Sequence, residues 1–146
     1  MLRGNYITRM DEKGRLKVPT AFRRYLSEHY SEEFYVTSLT GEYARIYPMA
    51  EWEALEARLA ILPSMDPAKR RFLDRTNYYG QTQTIDTQGR LLIHPLLRSS
   101  AEIMGEVAVL GYLIYLEIWS LERFQAHLTA DPYSDEDAAA IARLGI

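Results

Sequence analysis

The chain has 146 residues, 47% apolar and 25% charged, with no cysteine and a formal net charge of −3. That is the length of one domain with enough apolar content for a real core. These totals exclude a disulfide framework and thiolate chemistry, and the acidic sum argues against indiscriminate binding to polyanions.

Tyr6–Met10 reads as a strand leading into Asp11-Glu12-Lys13-Gly14. Asp11 suits the first position of a type I turn and Gly14 the position that needs positive φ, so the stretch predicts a tight hairpin. Arg15-Leu16-Lys17-Val18 then alternates, with Arg15 and Lys17 on one face and Leu16 and Val18 on the other. Pro19 opens a helix carrying Phe22, Tyr25, Leu26 and Tyr30 at helical spacing. Phe34–Leu39 and Tyr43–Tyr47 read as a second strand pair around Thr40-Gly41-Glu42. A helix after Pro48 has its apolar stripe at Trp52, Leu55, Leu59 and Leu62, and Asp66-Pro67 caps a further helix carrying Lys69, Arg70 and Arg71.

The order then recurs. Thr82–Ile85 leads into Asp86-Thr87-Gln88-Gly89, Arg90–Ile93 leaves it, and Pro95 opens a helix with Leu96, Leu97, Ala101 and Met104. Glu106–Leu110, a turn expected at Gly111, and Leu113–Trp119 form another strand pair, after which Ser120 caps a helix with Leu121, Phe124 and Leu128. Asp11 and Asp86 lie 75 residues apart, each opening Asp-x-x-Gly-Arg-Leu with an apolar residue, a proline and an arginine beyond. Arg45-Ile46-Tyr47 with Trp52 and Glu117-Ile118-Trp119 with Phe124 correspond at a spacing of 72. Duplication explains this better than chance. The organisation expected is a first repeat over 1–62, a connecting helical segment over 63–76, a second repeat over 77–130 and a helical tail over 131–146. Each half alone leaves strand edges uncovered, so an α+β fold is expected in which the halves join about a pseudo-twofold axis into one small β-barrel with flanking helices.

Charge is distributed unevenly. Residues 1–24 hold seven cations against Asp11 and Glu12, whereas 131–146 hold Asp131, Asp135, Glu136 and Asp137 against Arg143 alone. Ser134 reads as the cap of a short tail helix with Ala138, Ile141 and Leu144 on one side. No apolar run reaches bilayer-spanning length, and Met1–Tyr6 lacks the apolar core of a signal peptide, so no membrane partner is expected and the location expected is cytoplasmic.

Arg3-Gly4, Asp11 through Pro19 with Arg23, Asp86-x-x-Gly89-Arg90-Leu91-Leu92-Ile93 with Leu97-Arg98, and Val109-Leu110-Gly111 before Glu117-Ile118-Trp119 together resemble the MraZ family of bacterial AbrB-like proteins. The resemblance covers nearly the whole chain. It implies two AbrB-like repeats forming a swapped-hairpin barrel and a ring-shaped homo-oligomer. It also implies sequence-specific binding to repeated promoter elements of the cell-division and cell-wall gene cluster, with nucleoid association. The family pattern falls on Asp11 and Arg15 and on Asp86 and Arg90, the arginines being the expected DNA contacts.

Arginine suits bidentate contact with guanine or phosphate, lysine suits phosphate as a point charge, and a two-stranded ribbon fits the major groove. The DNA-binding residues expected are therefore Arg15, Lys13, Lys17 and Asp11 in the first copy, and Arg90, Asp86 and Gln88 in the second. Gln88 replaces a lysine and His94 stands where the family often has proline, so the second copy is expected to contribute less. His29, His94 and His127 are widely separated, and no Gly-rich phosphate loop or nucleophile elbow is present. Neither catalysis nor a small-molecule substrate, metal or other cofactor is expected. The alternative reading is an antitoxin-like or structural ring-forming protein that binds a partner.

Overall fold

A computed structural model describes residues 1–146. The elements in chain order are β1 (Asn5–Arg9), β2 (Arg15–Lys17), α1 (Thr20–His29), β3 (Glu33–Thr37), β4 (Ala44–Pro48), α2 (Met49–Ala60) and α3 (Pro67–Tyr78). They continue with β5 (Gln81–Thr84), β6 (Arg90–Leu92), α4 (Pro95–Ala101), β7 (Glu106–Tyr112), β8 (Tyr115–Ser120), α5 (Leu121–Ala130) and α6 (Asp135–Ala142). Local chemistry sets the helix starts. Pro19 and Pro48 stand one position before α1 and α2, and the Asp66 carboxylate accepts the Lys69 N–H at the start of α3. No helix is long and apolar enough to cross a membrane.

Six strands form one antiparallel sheet in the order β1-β7-β8-β4-β3-β5, while β2 and β6 form a separate two-stranded ribbon. The order is symmetric: reading inward from either edge, each strand meets its counterpart from the other half of the sequence. At the centre β4 and β8 pair with Arg45 opposite Glu117, the two residues related by the spacing of 72. There the symmetry carries opposite charges, and Arg45 Nε donates to Glu117 Oε2 at 3.0 Å. Trp119 Nε1 donates to the other carboxylate oxygen, also at 3.0 Å, and Arg45 donates to the Tyr47 and Tyr43 hydroxyls. This buried carboxylate is thus paired and hydrogen-bonded, as burial of charge requires.

The structure corrects three expectations. The stretch Asp11–Gly14 is a tight turn, but its flanking strands are not a hairpin: β1 pairs with β7 and β2 with β6. No closed barrel forms. The large sheet is open, ending at β1 and β5, because each Asp turn carries the chain out of that sheet into the ribbon. Gly111 lies inside β7, and the β7–β8 turn is instead made at Leu113 and Ile114, with Leu113 at φ 65°. A Cβ at residue 111 would collide with the backbone of Leu2 and Arg3, so glycine there permits the amino-terminal segment to cross.

One hydrophobic core joins the ribbon to the sheet. Leu16 and Leu91, opposite each other in the ribbon, are fully buried together with Val18, Phe22, Ile93, Leu97, Val109 and Leu116. Burying each leucine contributes about 1.5–3 kcal/mol. The ribbon's inner face is thereby clamped to the sheet, and its outer face is left for other work.

Candidate nucleic-acid interface

The side chains opposite the clamped face project outward. In the ribbon Arg15 pairs with Leu92, Leu16 with Leu91 and Lys17 with Arg90. Because directly opposed residues share a face and successive residues alternate, Arg15, Lys17, Arg90 and Leu92 lie together on the outer side. Lys17 is exposed and takes part in none of the ion pairs, although it stands across from Arg90. Like charges opposed across strands repel, so an anion placed over this pair would relieve the repulsion. Arg15 and Lys17 are about 7 Å apart along the strand, roughly two base-pair steps of DNA.

Each arginine is held by its own turn. Asp11 Oδ1 accepts the N–H groups of Lys13 and Arg15 at 2.9 Å each, and Oδ2 accepts Arg15 Nε at 2.7 Å. Asp86 Oδ1 accepts the N–H groups of Gln88 and Arg90 at 2.9 Å each, and Oδ2 accepts Arg90 Nε at 2.9 Å. Gly14 and Gly89 sit at φ 79° and 77°, where a side chain is disfavoured, and their N–H groups donate back to the Asp11 and Asp86 carbonyls. Only Nε of each guanidinium is engaged. The terminal nitrogens of Arg15 and Arg90 make no hydrogen bond within the chain, and the side chains are 32% and 27% exposed. The carboxylate thus orients the cation while its bidentate end remains available.

The backbone N–H groups of Arg15 and Arg90 are the main reason that Asp11 and Asp86, respectively, titrate below the ordinary carboxyl range; the guanidinium contacts add to this. Both carboxylates therefore stay charged through neutral pH and well into mild acid.

Two further arginines complete the turns, and their roles were not visible in the sequence. The Arg98 guanidinium packs against Gly14, and that of Arg23 against Gly89. Arg23 Nη2 donates to the Thr87 carbonyl at 3.1 Å, and Arg98 Nε to the Ile93 carbonyl at 2.7 Å. Each turn is therefore backed by an arginine from the other half of the chain. The ribbon extends the same exchange, since Val18 N–H donates to the Gly89 carbonyl and Ile93 N–H to the Gly14 carbonyl, both at 2.9 Å. The only early sign was that Arg23 and Arg98 follow their turns at matching positions.

The expected residues accordingly divide. Arg15, Lys17 and Arg90 come together on one ribbon face, Asp11 and Asp86 orient the two arginines from beneath, and Lys13 and Gln88 stand exposed at the two turn tips. His94 lies elsewhere. It is buried at the start of α4, where neither ring nitrogen has a partner at good hydrogen-bond geometry; burial holds its pKa below the ordinary value, opposed by a loose contact with the Tyr79 backbone and aided by the Arg98 charge. No three His, Asp or Glu side chains converge to hold a metal ion.

The family model that matches the chain is described as "MraZ protein, putative antitoxin-like" and covers residues 1–75 and 80–144. The relatives include proteins named "Transcriptional regulator MraZ" from Acidobacterium capsulatum, 48% identical over 146 residues, and Koribacter versatilis, 48% identical over 147 residues, with all of each chain covered. A protein of the same name from Syntrophobacter fumaroxidans is 36% identical over 129 residues, 88% of this chain and 85% of its own.

Proposed function

The chain belongs to the MraZ family, and from that premise we propose that it is a transcriptional regulator binding promoter DNA of the bacterial cell-division and cell-wall gene cluster. It does so through the outer face of the β2–β6 ribbon and works in the cytoplasm, on the nucleoid. The observation that carries the reading is the pair of Asp-x-x-Gly-Arg turns joined into one ribbon, each guanidinium held by Nε with its terminal nitrogens free. Pre-orientation lowers the entropy lost when such a side chain meets a base edge or phosphate.

In this reading Arg15 and Arg90 contact DNA directly, Lys13 and Lys17 contact phosphate, Asp11 and Asp86 orient the arginines, and Gln88 offers a neutral contact at the second tip. The symmetric strand order supports two AbrB-like repeats over 1–62 and 77–130 whose motif strands exchange, with 63–76 connecting them and 131–146 as an added tail. One ribbon neutralises few phosphates and binds weakly; self-association into a ring multiplies the contacts where promoter elements repeat at the subunit spacing. The protein is a regulator and not an enzyme, with neither small-molecule substrate nor cofactor.

Binding to the protein's own upstream promoter DNA across a salt series tests this. Specific retention with steep salt dependence, lost in Arg15→Ala while the assembly keeps its mass, is the expected result. Equal affinity for unrelated DNA would sink it. Absence of DNA retention by an intact assembly would favour the antitoxin-like, partner-binding alternative.

A further inference from the structure

Arg15 and Arg90 stand on strands too short to hold them. β2 and β6 have three residues each, and a two-stranded ribbon of that length is marginal by itself. Leu16 and Leu91 anchor its middle to the core, but the two arginines lie at the strand ends, where the chain leaves each Asp turn. The residue before each is a glycine, Gly14 or Gly89, with no side chain to pack.

The space left by each glycine is filled from the other half of the chain. A Cβ at Gly14 would land on the Arg98 guanidinium, and one at Gly89 on that of Arg23. Arg98 Nε donates to the Ile93 carbonyl at 2.7 Å, and the Ile93 N–H donates to the Gly14 carbonyl. That carbonyl belongs to the same peptide unit as the Arg15 N–H, which Asp11 holds. In the second turn Arg23 Nη2 donates to the Thr87 carbonyl at 3.1 Å, and the Val18 N–H donates to the Gly89 carbonyl. Both bracing arginines project from fixed bases. The N–H of Arg23 donates to the Pro19 carbonyl and that of Arg98 to the His94 carbonyl, and the residues just before them, Phe22 and Leu97, are buried. Neither guanidinium forms an ion pair with a carboxylate. What each supplies is a flat surface bearing donors, which a lysine ammonium does not.

We propose that Arg98 is the positioning residue of Arg15, and Arg23 that of Arg90, each acting through the other half's turn. Arg98, from the half with less positive charge around its turn, thus controls the more strongly charged contact. The consequence for DNA rests on the reading given above; the crossed bracing itself does not.

Hydrogen exchange of the free protein reads the bracing without DNA. Arg98→Lys keeps the charge and removes the planar surface. Exchange at the Lys13, Gly14 and Arg15 amides is expected to rise about threefold or more, with Gln88, Gly89 and Arg90 as in the wild type. Arg23→Lys is expected to do the reverse. Circular dichroism checks the fold, and Arg98→Gln and Arg23→Gln serve if a lysine variant unfolds. Unchanged exchange, or equal changes at both turns, overturns the proposal. Titration with the promoter DNA, at low salt so that weak variants still bind, then reads the contact. Arg98→Lys is expected to weaken binding about threefold to tenfold in the wild-type and Arg90→Ala backgrounds. In the Arg15→Ala background, where the group it positions is gone, the further loss should be less than about twofold. Wild-type affinity in Arg98→Lys, or equal losses in all three backgrounds, overturns the positioning role and leaves the DNA reading in place. A wild-type chain that does not bind the promoter overturns the DNA reading, and the exchange pattern then decides the positioning by itself.

Discussion

The two Asp turns share a scaffold and differ in charge. Both hold the carboxylate, the two backbone N–H groups and the arginine Nε in the same arrangement, with corresponding distances within 0.2 Å. Around that scaffold the first half presents Lys13 and Lys17, where the second presents Gln88 and Leu92. Geometry was kept because each turn also supplies a carbonyl to the other half's strand and a seat for the other half's arginine. Charge was free to diverge because it faces outward. The difference teaches that exchange between halves constrains the turn as a fold element, while the outer face is tuned separately.

The sharpest way to break the comparison is to remove each arginine in turn. Arg15→Ala is expected to weaken promoter binding about tenfold to a hundredfold, the range for loss of one well-placed arginine contact. Arg90→Ala is expected to be milder, since its neighbours offer less positive charge; equal losses in a titration at fixed salt would contradict the asymmetry. Stability should behave in the opposite way. Gly14→Ala and Gly89→Ala each force a side chain to positive φ and against the opposing arginine, so both should lose about 1–2 kcal/mol or more in denaturant unfolding, by similar amounts. A large difference between them would show that the two turns are not equivalent scaffolds.

A smaller effect should follow from making the second half resemble the first. Leu92→Lys puts a cation at the position equivalent to Lys17 and should steepen the dependence of log affinity on log salt by about 0.9, with little change in unfolding midpoint. The smallest effect is in pH. Asp11 and Asp86 titrate lower when folded than when unfolded, so their stabilisation is present above the unfolded carboxyl pKa of about 3.9 and is lost as pH falls through the lower folded value. Asp86→Asn should therefore reduce the acid sensitivity of unfolding without abolishing it, because Asp11 remains; an unchanged acid profile would show that this turn contributes nothing to it.

Much of this was legible along the chain. Asp, Gly and Arg at fixed short spacing encode a turn whose hydrogen bonds close within five residues, so the motif, the strand after it and the orientation of Arg15 by Asp11 could be read locally. Helix starts at Asp66 and Ser134 were readable for the same reason. The roles of Arg23 and Arg98 were not, because each acts on a turn more than sixty residues away. The turn expected at Gly111 failed similarly. Glycine signalled a turn, whereas its actual use is to admit the backbone of Leu2 and Arg3.

By itself, then, the sequence determined the order of elements, the duplicated turn chemistry and the uneven distribution of charge, since each depends on neighbours in the chain. Only the tertiary structure decided which strands pair. Alternation of Leu16 with Arg15 and Lys17 requires one buried face but names no partner, and burial against Leu91 and the sheet core selected β6 over β1. That choice turned an expected hairpin into a ribbon shared by both halves, and it set Arg15, Lys17 and Arg90 on a single face.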